Sequence, residues 1–189
     1  GPRGAEALPG AYTAKLILGD KSVAQKLEVR LDPALKVTAT ELEARAEHAR
    51  KLRDMLDAGN LALKSLDSLK EQLESTGKLM KDRQPDAFKE LEKTLAEYKK
   101  QVEAAGSRLG RPPDASRLEA GPRIVEKISA LFGSLEGVNA APTQYQKEYF
   151  AELSGQFREA MNEVRAFLTK TVPTWNEKLQ KAGAPVLVP

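Results

Sequence analysis

Between Ala11 and Leu31 apolar and polar residues alternate with a period of two, and beyond Asp32 apolar positions recur three and four residues apart. The first pattern predicts strands and the second helices. Successive side chains of a strand point to opposite faces, whereas a helix brings residues three and four apart onto one side. In the alternating segment Tyr12, Ala14, Leu16 and Leu18 share one face of a first strand, and Val23, Leu27, Val29 and Leu31 share one face of a second. Lys26, Glu28 and Arg30 point the other way, and Asp20-Lys21-Ser22 reads as the turn. A two-stranded hairpin alone is marginal in water, and no later stretch alternates in this way. The apolar face therefore calls for a sheet that the rest of the sequence does not supply.

The helical part opens after Asp32-Pro33, with a capping box at Thr38 and Glu41 or at Thr40 and Glu43. A first helix is predicted over 38–76, with Ala49, Leu52, Leu56, Leu63, Leu66 and Leu73 on a heptad-like seam and Gly77 as its stop. Gly59 falls within that seam, which predicts a kink or a close helix contact. A second helix, 85–105, opens on Pro85 and Asp86 and carries the cleanest stripe in the chain: Phe88, Leu91, Leu95, Tyr98 and Val102. A Gly/Pro loop fills 106–121. A third helix, 122–138, carries Ile124, Ile128, Leu131, Phe132 and Leu135. A fourth, 143–170, carries Phe150, Leu153, Phe157, Met161, Val164, Phe167 and Leu168 behind a capping box at Thr143 and Gln146. Pro173 is expected to break or bend the chain before a short helix around Trp175 and Leu179, and 184–189 is apolar and extended. The expected fold is mainly α: an antiparallel four-helix bundle over 34–189, preceded by the loop and hairpin of 1–33.

Charge narrows the function classes. The 30 basic and 27 acidic residues leave a net charge of +3, but they are finely interspersed. Lys89, Lys93, Lys99 and Lys100 alternate with Glu90, Glu92 and Glu97 without aromatic residues among them, so nucleic acid is not an expected partner. There is no cysteine, which removes disulfides and thiolate metal sites, and no apolar run long enough to span a bilayer. The chain begins Gly1-Pro2-Arg3 rather than with Met, as expected where a natural start and any targeting signal have been removed.

Catalytic chemistry has little to stand on. His48 is the single histidine, and without a second His or Cys it cannot build the usual zinc site. Asp54 and Asp57 each follow an arginine by four residues, the spacing of surface ion pairs. No catalytic, cofactor-binding or metal-ligating residue is assigned. Tyr145, Tyr149 and Trp175, read as lying near one end of the bundle, are weak candidates for a sugar or peptide platform.

Two segments resemble a known family. Leu8-Pro9-Gly10-Ala11-Tyr12-Thr13-Ala14-Lys15-Leu16, and Leu27-Glu28-Val29-Arg30-Leu31-Asp32-Pro33, are similar to the strands that finish an immunoglobulin-like domain in bacterial exported β-propeller proteins. These are the BNR-repeat proteins labelled sialidase-like, glycosyl-hydrolase-like or sortilin-type. Ala141-Pro142-Thr143 with Gln146, and Val172-Pro173-Thr174-Trp175-Asn176 with Leu179, are similar to the helical tail that follows. Ala34 stands where that family commonly has Arg after Asp-Pro. The resemblance implies that the hairpin is the remnant of an immunoglobulin-like β-sandwich in a periplasmic or extracellular parent. It carries over no catalytic residue.

The expected function is thus a non-catalytic C-terminal module that docks, spaces or oligomerises a larger exported propeller protein. Its partners would be the rest of the parent chain, or a second copy through the hairpin or the long-helix seam. Tyr12, Leu16, Leu27 and Val29 are the residues expected in such a contact. An accessory role in a carbohydrate or peptide site, and a free-standing helical adaptor with its hairpin resting on its own helices, are the alternatives.

Overall fold

The computed structural model describes residues 7–110, 121–136 and 138–189. Gly1-Pro2-Arg3 and most of the Gly/Pro loop lie outside the described residues. The chain is mainly helical, with one antiparallel hairpin of β1 (Gly10–Leu18) and β2 (Lys21–Val29). Among the described residues four helical stretches follow: α1 (Ala39–Arg83), α2 (Pro85–Gly106), α3 (Ile124–Glu136), and a long run made of α4 (Gln144–Ala166), a π turn (Phe167–Thr171) and α5 (Val172–Lys181).

The hairpin turns at Gly19-Asp20, one step earlier than expected, pairing Leu18 with Lys21. Gly19 takes φ +57° and Asp20 stays at negative φ, the arrangement of a two-residue type II′ turn whose twist suits the flanking strands.

Of the two possible caps for α1 the structure uses Thr38. Its Oγ1 accepts from the Glu41 backbone N–H at 3.3 Å, and the Glu41 carboxylate accepts from the Thr38 N–H at 2.8 Å. That hydrogen bonding holds the Glu41 carboxyl below its ordinary value. Gly77 does not end the helix. A glycine costs an interior position only about 1 kcal/mol relative to alanine, and one turn later Met80 is buried in the core. The helix ends where Pro85 forces the preceding Gln84 out of helical geometry, at φ −142° and ψ 67°. α1 therefore runs for 45 residues, about 68 Å.

Of the expected break or bend at Pro173, the break does not occur: helical geometry continues through it. The turn before it widens, so that the Val172 N–H donates to the Phe167 carbonyl five residues back. A π turn moves the backbone apart where a proline ring would otherwise strike the carbonyl four residues earlier, and proline has no N–H to leave unpaired.

α1 packs along α2 and α3 and also touches α4, which in turn meets α2 and α3. Ion pairs Glu74–Lys99 (3.1 Å) and Lys70–Glu103 (3.4 Å) step in opposite directions along α1 and α2, so these two run antiparallel. One continuous core includes Leu52, Leu69, Leu73, Val102, Ile128, Leu153, Val164 and Leu179. Leu56 and Leu63 of the expected seam are only half-buried, and Leu69 and Met80 take the deeper places. At Gly59 the expected close contact is present: a Cβ there would lie 2.9 Å from Val125 and 3.2 Å from Phe157. Leu109, at the start of the expected loop, is fully buried.

Candidate interaction surface

The hairpin register gathers apolar residues from both strands onto one face. Tyr12 lies opposite Leu27, Leu16 opposite Val23, and Gly10 opposite Val29. The other face pairs Thr13 with Lys26, Ala11 with Glu28, and Ile17 with Ser22. The Tyr12 hydroxyl donates to the Leu8 carbonyl at 2.7 Å, tying the lead-in to the strand. Arg30 donates to the Glu28 carboxylate at 2.6 Å and 2.9 Å.

The apolar face is uncovered. Leu16, Leu18 and Val23 are 73%, 79% and 71% exposed, with Tyr12 and Leu27 also exposed and Val29 half-buried. Burying a side chain of this size is worth roughly 1.5–3 kcal/mol, so these residues together hold a substantial unrealised association energy. Among the described residues the sheet has two strands, and both of its outer edges are unpaired. Neither strand contains proline, and the register is continuous, so two common defences against strand addition, proline and bulges, are missing. Among the described residues the hairpin does not lie along any helix. Its base alone approaches them, around a crevice of about 190 Å³ between Leu8, Val29, Leu31, Leu35 and Leu42.

Arg45 sits beneath that crevice and is buried. Its Nη1 donates to the Val138 carbonyl (2.8 Å) and the Asn139 side chain (3.1 Å), fixing the connection between α3 and α4 to α1. A charge at position 45 lies in step with Leu42, Ala49 and Leu52, and that spacing was the available signal for a buried arginine.

The aromatic candidates do not form one site. Trp175 is 4% exposed and locked in the core between Tyr98 and Phe167, so it presents no platform to a ligand. It also lies at the opposite end of the 144–181 helical run from Tyr145 and Tyr149, contrary to the expected grouping. These two tyrosines stack at 5.8 Å on α4, Tyr145 exposed and Tyr149 half-buried. Burial, then the neighbouring Tyr145 and Glu152, push the Tyr149 hydroxyl up.

His48 is half-buried, its Nδ1 2.8 Å from the Ala44 carbonyl and its ring edge-on to Phe150. Arg53 pairs with Asp57 at 3.8 Å, while Arg50 turns instead to the Ala46 carbonyl. Among the described residues no cluster of His, Asp or Glu is arranged to hold a metal ion, and no helix is long and apolar enough to cross a membrane. Comparisons with protein-family models, with curated proteins and with solved structures gave no match to this chain.

Proposed function

We propose that this chain is a non-catalytic C-terminal accessory module that docks, spaces or oligomerises a larger exported β-propeller protein of the sialidase-like or sortilin type. The observation that carries this reading is the apolar hairpin face, open to solvent across Leu16, Leu18 and Val23. A hairpin evolved to stand alone would not keep such a face. On this reading β1 and β2 close an immunoglobulin-like sandwich, and the helices behind them form an antiparallel four-helix bundle. The antiparallel ion pairs between α1 and α2 support the second part. The resemblance of Leu8–Pro33 and of the segments around Thr143 and Trp175 to the exported propeller family supports the first, together with a periplasmic or extracellular setting.

Light scattering on the wild type and on the double variant Leu16→Asp/Leu27→Lys tests the reading. A wild-type dimer that becomes a folded monomer identifies the face as an association surface. A monomer in both forms with helicity kept shows that the face is not a self-association site and removes the oligomerising role. Loss of helical structure in the variant would sink the proposal, because it would mean that the face serves its own helices.

A further inference from the structure

The segment 184–189 is held to the helices by an unusual arrangement. In α5, Asn176 uses both ends of its amide on one residue: Nδ2 donates to the Leu187 carbonyl at 2.8 Å, and Oδ1 accepts from the Leu187 N–H at 2.7 Å. In α1, Gln72 does the same for the next residue, its Nε2 donating to the Val188 carbonyl and its Oε1 accepting from the Val188 N–H, both at 2.8 Å. Ser68 steadies the Gln72 amide by accepting from Nε2 at 3.2 Å. In an extended chain consecutive residues direct their backbone groups to opposite sides. Two amides facing each other across the segment therefore read it as two flanking strands would. Between them the Leu187 side chain is 2% exposed, whereas Val188 is exposed. An open crevice of about 350 Å³ continues beside Pro185 and Val186, bordered by Ser68, Gln72 and Thr76.

We propose that the groove between α1 and α5 is a peptide-binding site for an extended segment anchored by one leucine, occupied in this structure by the chain's own residues 184–189. The chemistry sets its specificity. The anchor must be leucine-like, and the residue three positions before it small, as the buried Ala184 is. The anchor and the residue after it must each have an N–H, so proline is excluded at both places. The side chain after the anchor is free to vary, and the two positions before it face open space. The site is independent of the hairpin.

The probe is a fluorescein-labelled Ala-Pro-Val-Leu-Val-Pro peptide, added to the full chain and read by anisotropy. The wild type, whose groove is filled, shows little binding. The variant Leu187→Asp empties the anchor pocket and binds the peptide saturably, while a peptide with Asp in place of Leu does not bind. Adding Gln72→Leu or Asn176→Leu weakens binding by about tenfold or more, the cost expected for losing two backbone hydrogen bonds. No saturable binding to a cooperatively folded Leu187→Asp chain would overturn the proposal, as would affinity indifferent to Gln72 and Asn176. Should Leu187→Asp fail to fold, hydrogen exchange on the wild type decides. Leu187 and Val188 amides that open far more readily than the core show a displaceable segment, and opening only with global unfolding overturns the proposal.

Discussion

The phenol ring of Tyr98 on α2 lies flat against the indole of Trp175 on α5, ring centroids 4.0 Å apart and planes 7° from parallel. Both residues are buried, and the Tyr98 hydroxyl has no hydrogen-bond partner among the described residues. A buried hydroxyl without a partner costs about 1–3 kcal/mol of desolvation, so Tyr98→Phe should keep the stack and leave stability unchanged or raise it by about 1 kcal/mol. Tyr98→Ala removes the ring and should cost about 3–5 kcal/mol. Urea unfolding followed by the emission of Trp175, the single tryptophan, measures both.

The same hydroxyl predicts an alkaline weakness. Burial pushes the Tyr98 pKa above its ordinary value, which in the unfolded chain is about 10. Below that pH both states are protonated and the group changes nothing. Above it the unfolded state releases its proton first, so stability falls as pH climbs toward the folded-state pKa. Urea midpoints between pH 8 and 11 should drop further in the wild type than in Tyr98→Phe. Parallel curves would show that Tyr98 is not the group responsible.

How much of this was legible from sequence depends on what fixes each feature. The stripe Phe88, Leu91, Leu95, Tyr98 and Val102 was readable because periodicity reports a buried face wherever the partner lies, and all but half-buried Phe88 are in the core. The faces of Tyr12, Leu16, Leu27 and Val29 were readable strand by strand. Their union on a single face was not, because it depends on the turn. A three-residue turn would place Leu16 and Val23 on opposite sides, whereas the two-residue turn at Gly19-Asp20 brings them together. Tertiary packing overrode one local signal, Gly77 as a stop, while at Pro173, where a break or a bend is expected, the helix continues behind a widened π turn. Trp175 looked like a platform because an amphipathic ring reads the same at a surface as in a core. The Gln72 and Asn176 amides, 104 residues apart, left no trace in any local pattern.

The glycines of the helices separate by what surrounds them. Nothing lies within 4 Å of a Cβ placed on Gly133 or Gly155, so alanine at either should stabilise by roughly 0.5–1 kcal/mol through helix propensity. Gly59 differs, because its Cβ would meet the stiff Val125 side chain at 2.9 Å and the Phe157 ring at 3.2 Å. Overpacking of this kind costs about 1–3 kcal/mol, which offsets or exceeds the propensity gain. Gly59→Ala should lower the thermal midpoint while Gly155→Ala raises it. A rise for both would mean that α3 and α4 yield at this crossing.

The two capping boxes offer a comparison within one chain. Thr38 opens α1 and Thr143 opens α4, each with its Oγ1 accepting from the backbone N–H three residues on. Replacing either by alanine should cost about 1 kcal/mol. Only the first box is closed by a carboxylate, Glu41, whose pKa is lowered by the Thr38 backbone hydrogen bond and then by its side chain. A carboxyl held below its unfolded value stabilises the fold above that value and loses the effect as pH falls through the folded one. Alanine keeps the backbone N–H and loses only the Thr38 hydroxyl bond to the Glu41 carboxylate at 2.8 Å, so that smaller part of the penalty for Thr38→Ala should fade between pH 6 and pH 3. Gln146 does not titrate, so the penalty for Thr143→Ala should stay constant. Equal pH dependence for the two variants would mean that Glu41 adds nothing beyond a neutral cap.

Substitution on the hairpin face and in the core should separate stability from surface hydrophobicity. Leu16 and Leu18 are exposed, so Leu16→Lys/Leu18→Lys removes no packing and should shift unfolding free energy by no more than about 0.5 kcal/mol. Leu69 is fully buried on α1, and truncation to alanine there should cost about 2–5 kcal/mol. Self-association or dye binding measured alongside should show the reverse order. The lysine pair abolishes binding of a hydrophobic dye to the native protein, and Leu69→Ala does not. If the lysine pair instead destabilised the fold as much as Leu69→Ala, the face would be part of this chain's own core, and its assignment as a docking surface would fail.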